Sequence, residues 1–310
     1  MQSYDLLKLI GNTPVIELKS LRTTTGLRFY AKLEGQNPSG SIKDRIALAM
    51  VSEAEKTGKL KRGQTIVEAS SGNTAIALAF VAKQKGYKLT VVIPEGSVPS
   101  IKDILELYGA EIIPCASEGG MRLAIETATT IGNSPGFVSI NQFFNESNVN
   151  IHYDKTSVEL LSQIPQIDVF IAGIGTGGTI TGIGRRLKAE SPRTQIVGIE
   201  PKMGERLQGL RSLEEGFVPP LLDLKLLSSR FIISSADALM NTKSIAQKEG
   251  ILIGISSGAV LSAAKIMAKR IRKGNIVMIF ADGGWKYLPT RPWNESIANS
   301  NHQIDDIHWW

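Results

Sequence analysis

Lys43 lies in GSIKDR, residues 40–45, directly after the turn-forming run Asn37, Pro38, Ser39, Gly40 and within the apolar repeat Ile42, Ile46, Met50. The spacing predicts a helix that opens here, with Ser41 as its cap and Asp44 completing a capping box. A lysine in that first turn sits beside backbone amides that already carry positive partial charge. This field and burial both favour the neutral amine, the nucleophilic form that condenses with an aldehyde. A lone lysine is ordinarily a solvated surface side chain, so the weight of the reading falls on other residues.

Three glycine- and serine-rich turns supply those residues. GIGTGG, residues 173–178, follows the apolar strand IDVFIA and opens a helix, which satisfies the glycine pattern of a dinucleotide fingerprint, and Glu200 ends the next strand. Backbone amides at a helix N-terminus hold any phosphate, however, including the single phosphate of pyridoxal phosphate. SSGNTA, residues 70–75, and GISSGA, residues 254–259, are further strand-to-helix turns able to present amides and hydroxyls to a carboxylate or a ring. A nicotinamide-binding domain needs one such loop and leaves the other two, and Lys43, unexplained. An aldehyde cofactor with an amino-acid substrate uses them all.

The elements that must position these loops follow from the pattern. Apolar strands alternate with amphipathic helices: TIVEAS, helix 73–86, KLTVVIP, helix 100–108, EIIPCA, helix 119–132, FVSIN, and one helix across VNIHYDKTSVELLSQI. A second series runs IDVFIAG, helix 178–189, QIVGIEP, FIISS, helix 236–249, the strand ILIGI, helix 257–272 and NIVMIFADGG. This is an α/β protein of parallel βαβ units in two doubly wound lobes, with the ligand in the crevice where strand C-termini meet. The expected smaller lobe is 35–145, carrying the carboxylate loop; 1–34 and 146–310 form the larger, carrying the phosphate loop.

The 310 residues suffice for such a pair of lobes around a cleft. No apolar run is long enough to span a bilayer, and the opening MQSYDLLKLIGNTP has no targeting character, so a cytoplasmic protein is expected. Cys115 is the only cysteine and reads as a quiet buried thiol. The net charge of +6 is scattered, and its densest cluster, KRIRKG at 269–274, reads as a solvated helix end. Neither nucleic acid nor membrane is expected as a partner, and no metal site is expected.

NPSGSIKDR, SSGNTA, GTGGT and GISSGA, in this order, together with LIGNTPVIEL and AKLEGQNPSG, resemble the fold type II pyridoxal-phosphate enzymes of the cysteine synthase and cystathionine β-synthase group. The resemblance runs from residue 8 to about 290. It implies that Lys43 forms the Schiff base with pyridoxal 5'-phosphate and later shuttles the substrate α-proton. It implies that Gly175, Thr176, Gly177, Gly178 and Thr179 hold the cofactor phosphate, that Asn73 bonds the ring hydroxyl, and that Ser256 faces the pyridine nitrogen. Ser70, Ser71, Gly72, Thr74 and Gln142 would grip the substrate carboxylate. A serine facing the pyridine nitrogen makes a weaker electron sink than a carboxylate there, which suits β-elimination better than transamination.

MGERLQGLRSLEEGFVPP, residues 203–220, and GGWKYL, residues 283–288, resemble the O-phosphoserine-using branch, where an arginine placed like Arg211 meets the substrate phosphate. Acetylserine-type relatives that handle thiosulfate also carry an arginine near there, and pairing of Arg211 with Glu214 or Glu215 is the bland alternative. Two departures stand out: Ala75 replaces the usual glycine, and EGSVPSIKDIL, residues 95–105, lacks a frequent arginine pair. The implied reaction is replacement of the β-substituent of an activated serine by sulfide, or by a thiocarboxylate on a small carrier protein, to give cysteine. Similar enzymes are usually homodimers. Cystathionine β-synthase-type chemistry, serine/threonine dehydration, and a non-catalytic scaffold are the alternatives. The tail, Trp309 and Trp310 with the terminal carboxylate, is expected either to fray or to fold into the cleft and shield it.

Overall fold

The chain enters through an antiparallel pair, β1 (Val15–Glu17) and β2 (Leu27–Leu33), and then runs into helix α1 (Lys43–Lys56). A computed structural model describes residues 5–24, 26–95, 99–205 and 207–290. After α1 come β3 (Thr65–Ala69), α2 (Asn73–Lys85), β4 (Lys88–Pro94), α3 (Pro99–Leu107), β5 (Glu111–Cys115), α4 (Gly120–Gly132) and β6 (Phe137–Ser139). Their strands form a four-stranded parallel sheet in the order β5-β4-β3-β6. A helical crossing follows: α5 (Ser147–Ile151), a π turn at His152–Thr156, and α6 (Ser157–Gln163).

The chain then returns to its opening pair. β7 (Val169–Gly173), α7 (Gly178–Glu190), β8 (Gln195–Pro201), β9 (Ser229–Ile233), α8 (Ser235–Glu249), α9 (Ile255–Met267) and β10 (Gly274–Phe280) follow. Their strands complete a second sheet in the order β1-β2-β10-β7-β8-β9, parallel except at β1. The central strands are continuous apolar runs because helices cover both faces of a parallel sheet: Leu89 through Pro94 are all buried in β4, as are Ile276 through Phe280 in β10. Among the described residues no helix is long and apolar enough to cross a membrane.

Helix α1 is the element on which the site depends. Ile42 belongs to the apolar cluster around Ala172 and Ile279, whereas Ile46 and Met50 belong to the cluster that includes Ile66 and Leu78. Burying side chains of this size stabilises by roughly 1.5–3 kcal/mol each. Arg45 adds a polar anchor: it donates to both carboxylate oxygens of Glu34 (2.7 and 2.9 Å) and of Glu159 on α6 (2.7 Å each). Lys32 meets Glu159 at 2.9 Å. Burial raises the Glu159 pKa, but Arg45 and Lys32 outweigh it and hold the carboxyl at about 2.

Three expectations are corrected. The capping box does not form: Ser41 Oγ accepts the Lys43 N–H at 3.2 Å, while Asp44 turns back to accept the Ser39 N–H at 2.7 Å and the Ser39 hydroxyl. ILIGI is not a strand. Ile253 forms only an isolated bridge with Gly283, and the chain turns at Gly254, where a Cβ would lie 1.9 Å from Asp282 Oδ1. The helix expected across 149–164 is interrupted by the π turn, which holds the buried His152. Gly96, Ser97 and Val98 of the segment 95–105, and Trp309 and Trp310, lie outside the described residues.

Candidate active site

Two adjoining chambers open between the sheets and share Lys43, Asn73, Gly175, Thr176 and Gln208 in their linings. The first adds Ser70, Gly72, Thr74, Gln142, Phe143 and Arg211; the second adds Gly177, Thr179 and Ser256. The four sequence motifs therefore converge as expected. Two of the named residues stand back from the lining. Ser71 is buried with no partner for its hydroxyl among the described residues, and Gly178 packs against Asn148.

Lys43 projects from the first turn of α1 into both chambers. The residue is partly accessible through the cavity, yet protein crowds its amine, and this burial lowers the pKa to about 8 against the opposing pull of Asp282. The amine is thus largely available in its neutral form at mildly alkaline pH. Asp282 itself follows β10 and collects the Tyr287 hydroxyl at 2.5 Å and Asn73 Nδ2 at 2.8 Å on one oxygen, Oδ2. Its other oxygen is buried without a partner among the described residues. Lys286 Nζ donates to Asn73 Oδ1 at 2.5 Å and to Gly40 O at 3.3 Å, so both ends of the Asn73 amide are held from the segment after β10.

Sterics require the glycines of the GIGTGG loop. A Cβ at Gly175 would lie 2.4 Å from Gly209 O, one at Gly177, where φ is +84°, 2.7 Å from the Leu222 backbone, and one at Gly178 2.0 Å from Asn148 Oδ1. The loop feeds the N-terminus of the 13-residue α7, whose first amides have no partner within the helix. Behind it, His152 Nε2 meets Thr179 Oγ1 at 3.1 Å and Nδ1 meets Thr156 Oγ1 at 2.9 Å. Burial, with Arg45 and Lys43 adding to it, drives the His152 pKa well below the ordinary imidazole value and keeps the ring neutral.

On the opposite wall, Ser70 Oγ accepts the Gly72 and Ala75 N–H groups at 3.4 and 3.3 Å, and Thr74 Oγ1 donates to Gln142 Oε1 at 2.7 Å. Gln142 follows Asn141, a left-handed residue with φ +51°. Glu68, buried in β3, accepts backbone N–H groups of Gln142 and Asn141. Burial raises its pKa to about 8 against those hydrogen bonds. Arg211 enters from the segment after β8, its N–H bonded to Ile174 O at 2.8 Å. Its guanidinium lies 4.8 Å from the Phe143 ring and 5.2 Å from the Phe217 ring, which meet edge to face. Burial lowers the Arg211 pKa, with Glu215 opposing.

Sequence reasoning missed Asp282, Lys286, Tyr287, Glu68, Gln208 and Asn148 as parts of this site. Only GGWKYL carried a signal, a lysine among apolar and aromatic residues just after a strand. Glu200, the acid that would complete a dinucleotide fingerprint, is otherwise engaged: it accepts the Leu213 N–H at 2.6 Å and pairs with Arg230 at 2.7 Å.

The residues fit pyridoxal phosphate: an amine of lowered pKa, a glycine cradle at a helix N-terminus, and a polar wall for a carboxylate share one cleft. The sequence profile of the family described as "pyridoxal-phosphate dependent enzyme" matches residues 6–282. A cysteine synthase of Staphylococcus aureus (strain Mu50) is 41% identical over 296 residues, covering 92% of this chain and 96% of that protein. Among solved structures, O-ureido-L-serine synthase superposes with a TM-score of 0.88 at 31% identity, covering 93% of this chain and 94% of that one. Cysteine synthase from Entamoeba histolytica gives a TM-score of 0.89 at 29% identity, covering 100% and 96%. The chain belongs to the pyridoxal-phosphate-dependent enzymes, in the family of the cysteine synthases, and pyridoxal phosphate is its cofactor.

Proposed function

We propose that the protein is a cysteine synthase that replaces the phosphate of O-phospho-L-serine with sulfur. The cofactor, when bound, supplies an aldehyde that condenses with amines and a ring that accepts electron density from the substrate α-carbon. Lys43 provides the amine and, at Nζ, takes up and returns the substrate α-proton. Gly175, Thr176, Gly177, Gly178 and Thr179 hold the cofactor phosphate, and Asn73 and Ser256 orient its ring. Ser70, Ser71, Gly72, Thr74 and Gln142 hold the substrate carboxylate.

The observation that carries the substrate reading is Arg211. Its guanidinium lines the same chamber as Ser70, Thr74 and Gln142, clamped between Phe143 and Phe217. A planar guanidinium in a shielded cleft suits a dianionic phosphate, and acetate has no matching charge before it leaves. Sulfide, or the thiocarboxylate of a small carrier protein, is the donor in this reading, and the working unit is a cytoplasmic homodimer.

The test is Arg211→Ala with both substrates and sulfide. The proposal expects kcat/KM for O-phosphoserine to fall by about 10²-fold or more, consistent with about 3 kcal/mol from a charge-assisted contact, and O-acetylserine to change less than threefold. Equal losses on both substrates would make Arg211 structural and favour acetylserine. Formation of cystathionine from homocysteine, or of keto acid without sulfide, would favour the synthase-like and dehydratase alternatives.

A further inference from the structure

We propose that Asn148 is a positioning residue for the cofactor: its carboxamide directs the Thr176 hydroxyl hydrogen toward the chamber that receives the cofactor phosphate. Asn148 is fully buried in α5, away from the motifs that line the cleft. Its Nδ2 lies 2.9 Å from the Gln142 carbonyl oxygen and 3.1 Å from Thr176 Oγ1.

The Gln142 carbonyl settles the orientation of the amide. A carbonyl oxygen only accepts, so the group facing it must be the NH2 end, and the two ends of Asn148 are not interchangeable. The same nitrogen therefore donates to Thr176 Oγ1 as well. The second acceptor position of that hydroxyl takes the Gly178 N–H at 3.4 Å.

A threonine hydroxyl has two acceptor positions and one hydrogen. With both acceptor positions engaged, the hydrogen is left to be donated. Among the described residues it has no protein acceptor, and Thr176 lines both chambers. A phosphate oxygen is the acceptor this arrangement suits. Among the described residues Asn148 Oδ1 is meanwhile buried with no partner, and it occupies the space beside Gly178 that a side chain there would need.

The full chain, freed of cofactor, is titrated with pyridoxal phosphate and separately with pyridoxal, which lacks the phosphate, following visible absorbance. Asn148→Ala is compared with the native residue, alone and in a Thr176→Val background. The proposal expects Asn148→Ala to weaken pyridoxal phosphate about tenfold and pyridoxal less than twofold. In Thr176→Val, where no hydroxyl remains to direct, the further effect of Asn148→Ala should fall below twofold. Equal weakening of both ligands, or an undiminished tenfold loss in Thr176→Val, would overturn the assignment and leave Asn148 as packing alone. Asn148→Ser, too short to reach Thr176, replaces Asn148→Ala if the latter does not fold, and the same outcomes apply.

Discussion

Lys286 Nζ lies 2.5 Å from Asn73 Oδ1, although 213 residues separate the two in the chain. The contact fixes which way the Asn73 amide faces, because the ammonium can only donate, and so presents Nδ2 to Asp282. Lys286→Met removes the donor to Oδ1 and leaves the amide held by Asp282 alone. The expected outcome is a loss of about tenfold to hundredfold in kcat/KM, with a shifted visible absorbance maximum of the cofactor-loaded protein. An unchanged spectrum and unchanged kinetics would remove Lys286 from the site.

The pKa of Lys43 sets a pH dependence whose sign is explicit. Burial lowers it to about 8 from the ordinary 10.5, so the neutral amine is half populated near pH 8 and falls about tenfold for each pH unit below that. Uptake of pyridoxal phosphate by the cofactor-free chain should rise with pH and reach half its plateau near 8. A half-plateau near 10.5 would mean that the amine is solvated as in a free lysine.

Arg45 is predicted to be a stability determinant. Removing it leaves Glu34, which is fully buried, without its Arg45 partner and leaves the partly buried Glu159 with Lys32 alone. Breaking such a buried pair costs about 3–5 kcal/mol. Arg45→Ala should lower unfolding stability by that amount in urea titrations. A change below about 1 kcal/mol would show that water replaces the guanidinium without cost.

Gly178→Ala places a methyl group 2.0 Å from Asn148 Oδ1 and 2.5 Å from its Cγ. Because Asn148 is hydrogen-bonded on its other side, it cannot retreat freely. The substitution should weaken cofactor retention by at least tenfold in dialysis against buffer. Retention equal to the native protein would show that the loop relaxes around the methyl group.

How much of this was legible in sequence depends on how local the signal is. GIGTGG and SSGNTA each announce a strand-to-helix turn within six residues, and GISSGA and the turn before Lys43 each announce the start of a helix, so the lining of the cleft could be read in advance. Asp282, Asn148 and Glu68 act through contacts that exist only once the two sheets are assembled, and nothing in their immediate neighbours marks them. ILIGI failed for a related reason. Its apolar residues suit a strand, but the close approach of Gly254 to Asp282 turns the backbone, a tertiary constraint that local propensity does not contain. The Ser41–Asp44 box failed because Ser39, five residues before Asp44, offers the carboxylate both a backbone and a hydroxyl donor.

The most direct measurement places O-phosphoserine and O-acetylserine together, at equal concentration and with sulfide, in one reaction with the native cofactor-loaded protein. Phosphate and acetate release are then counted against cysteine formed, since their ratio is the ratio of kcat/KM values. The account predicts that phosphate release exceeds acetate release at least tenfold and matches the cysteine produced. Acetate release equal to or above phosphate release would contradict the assignment of Arg211 to a substrate phosphate.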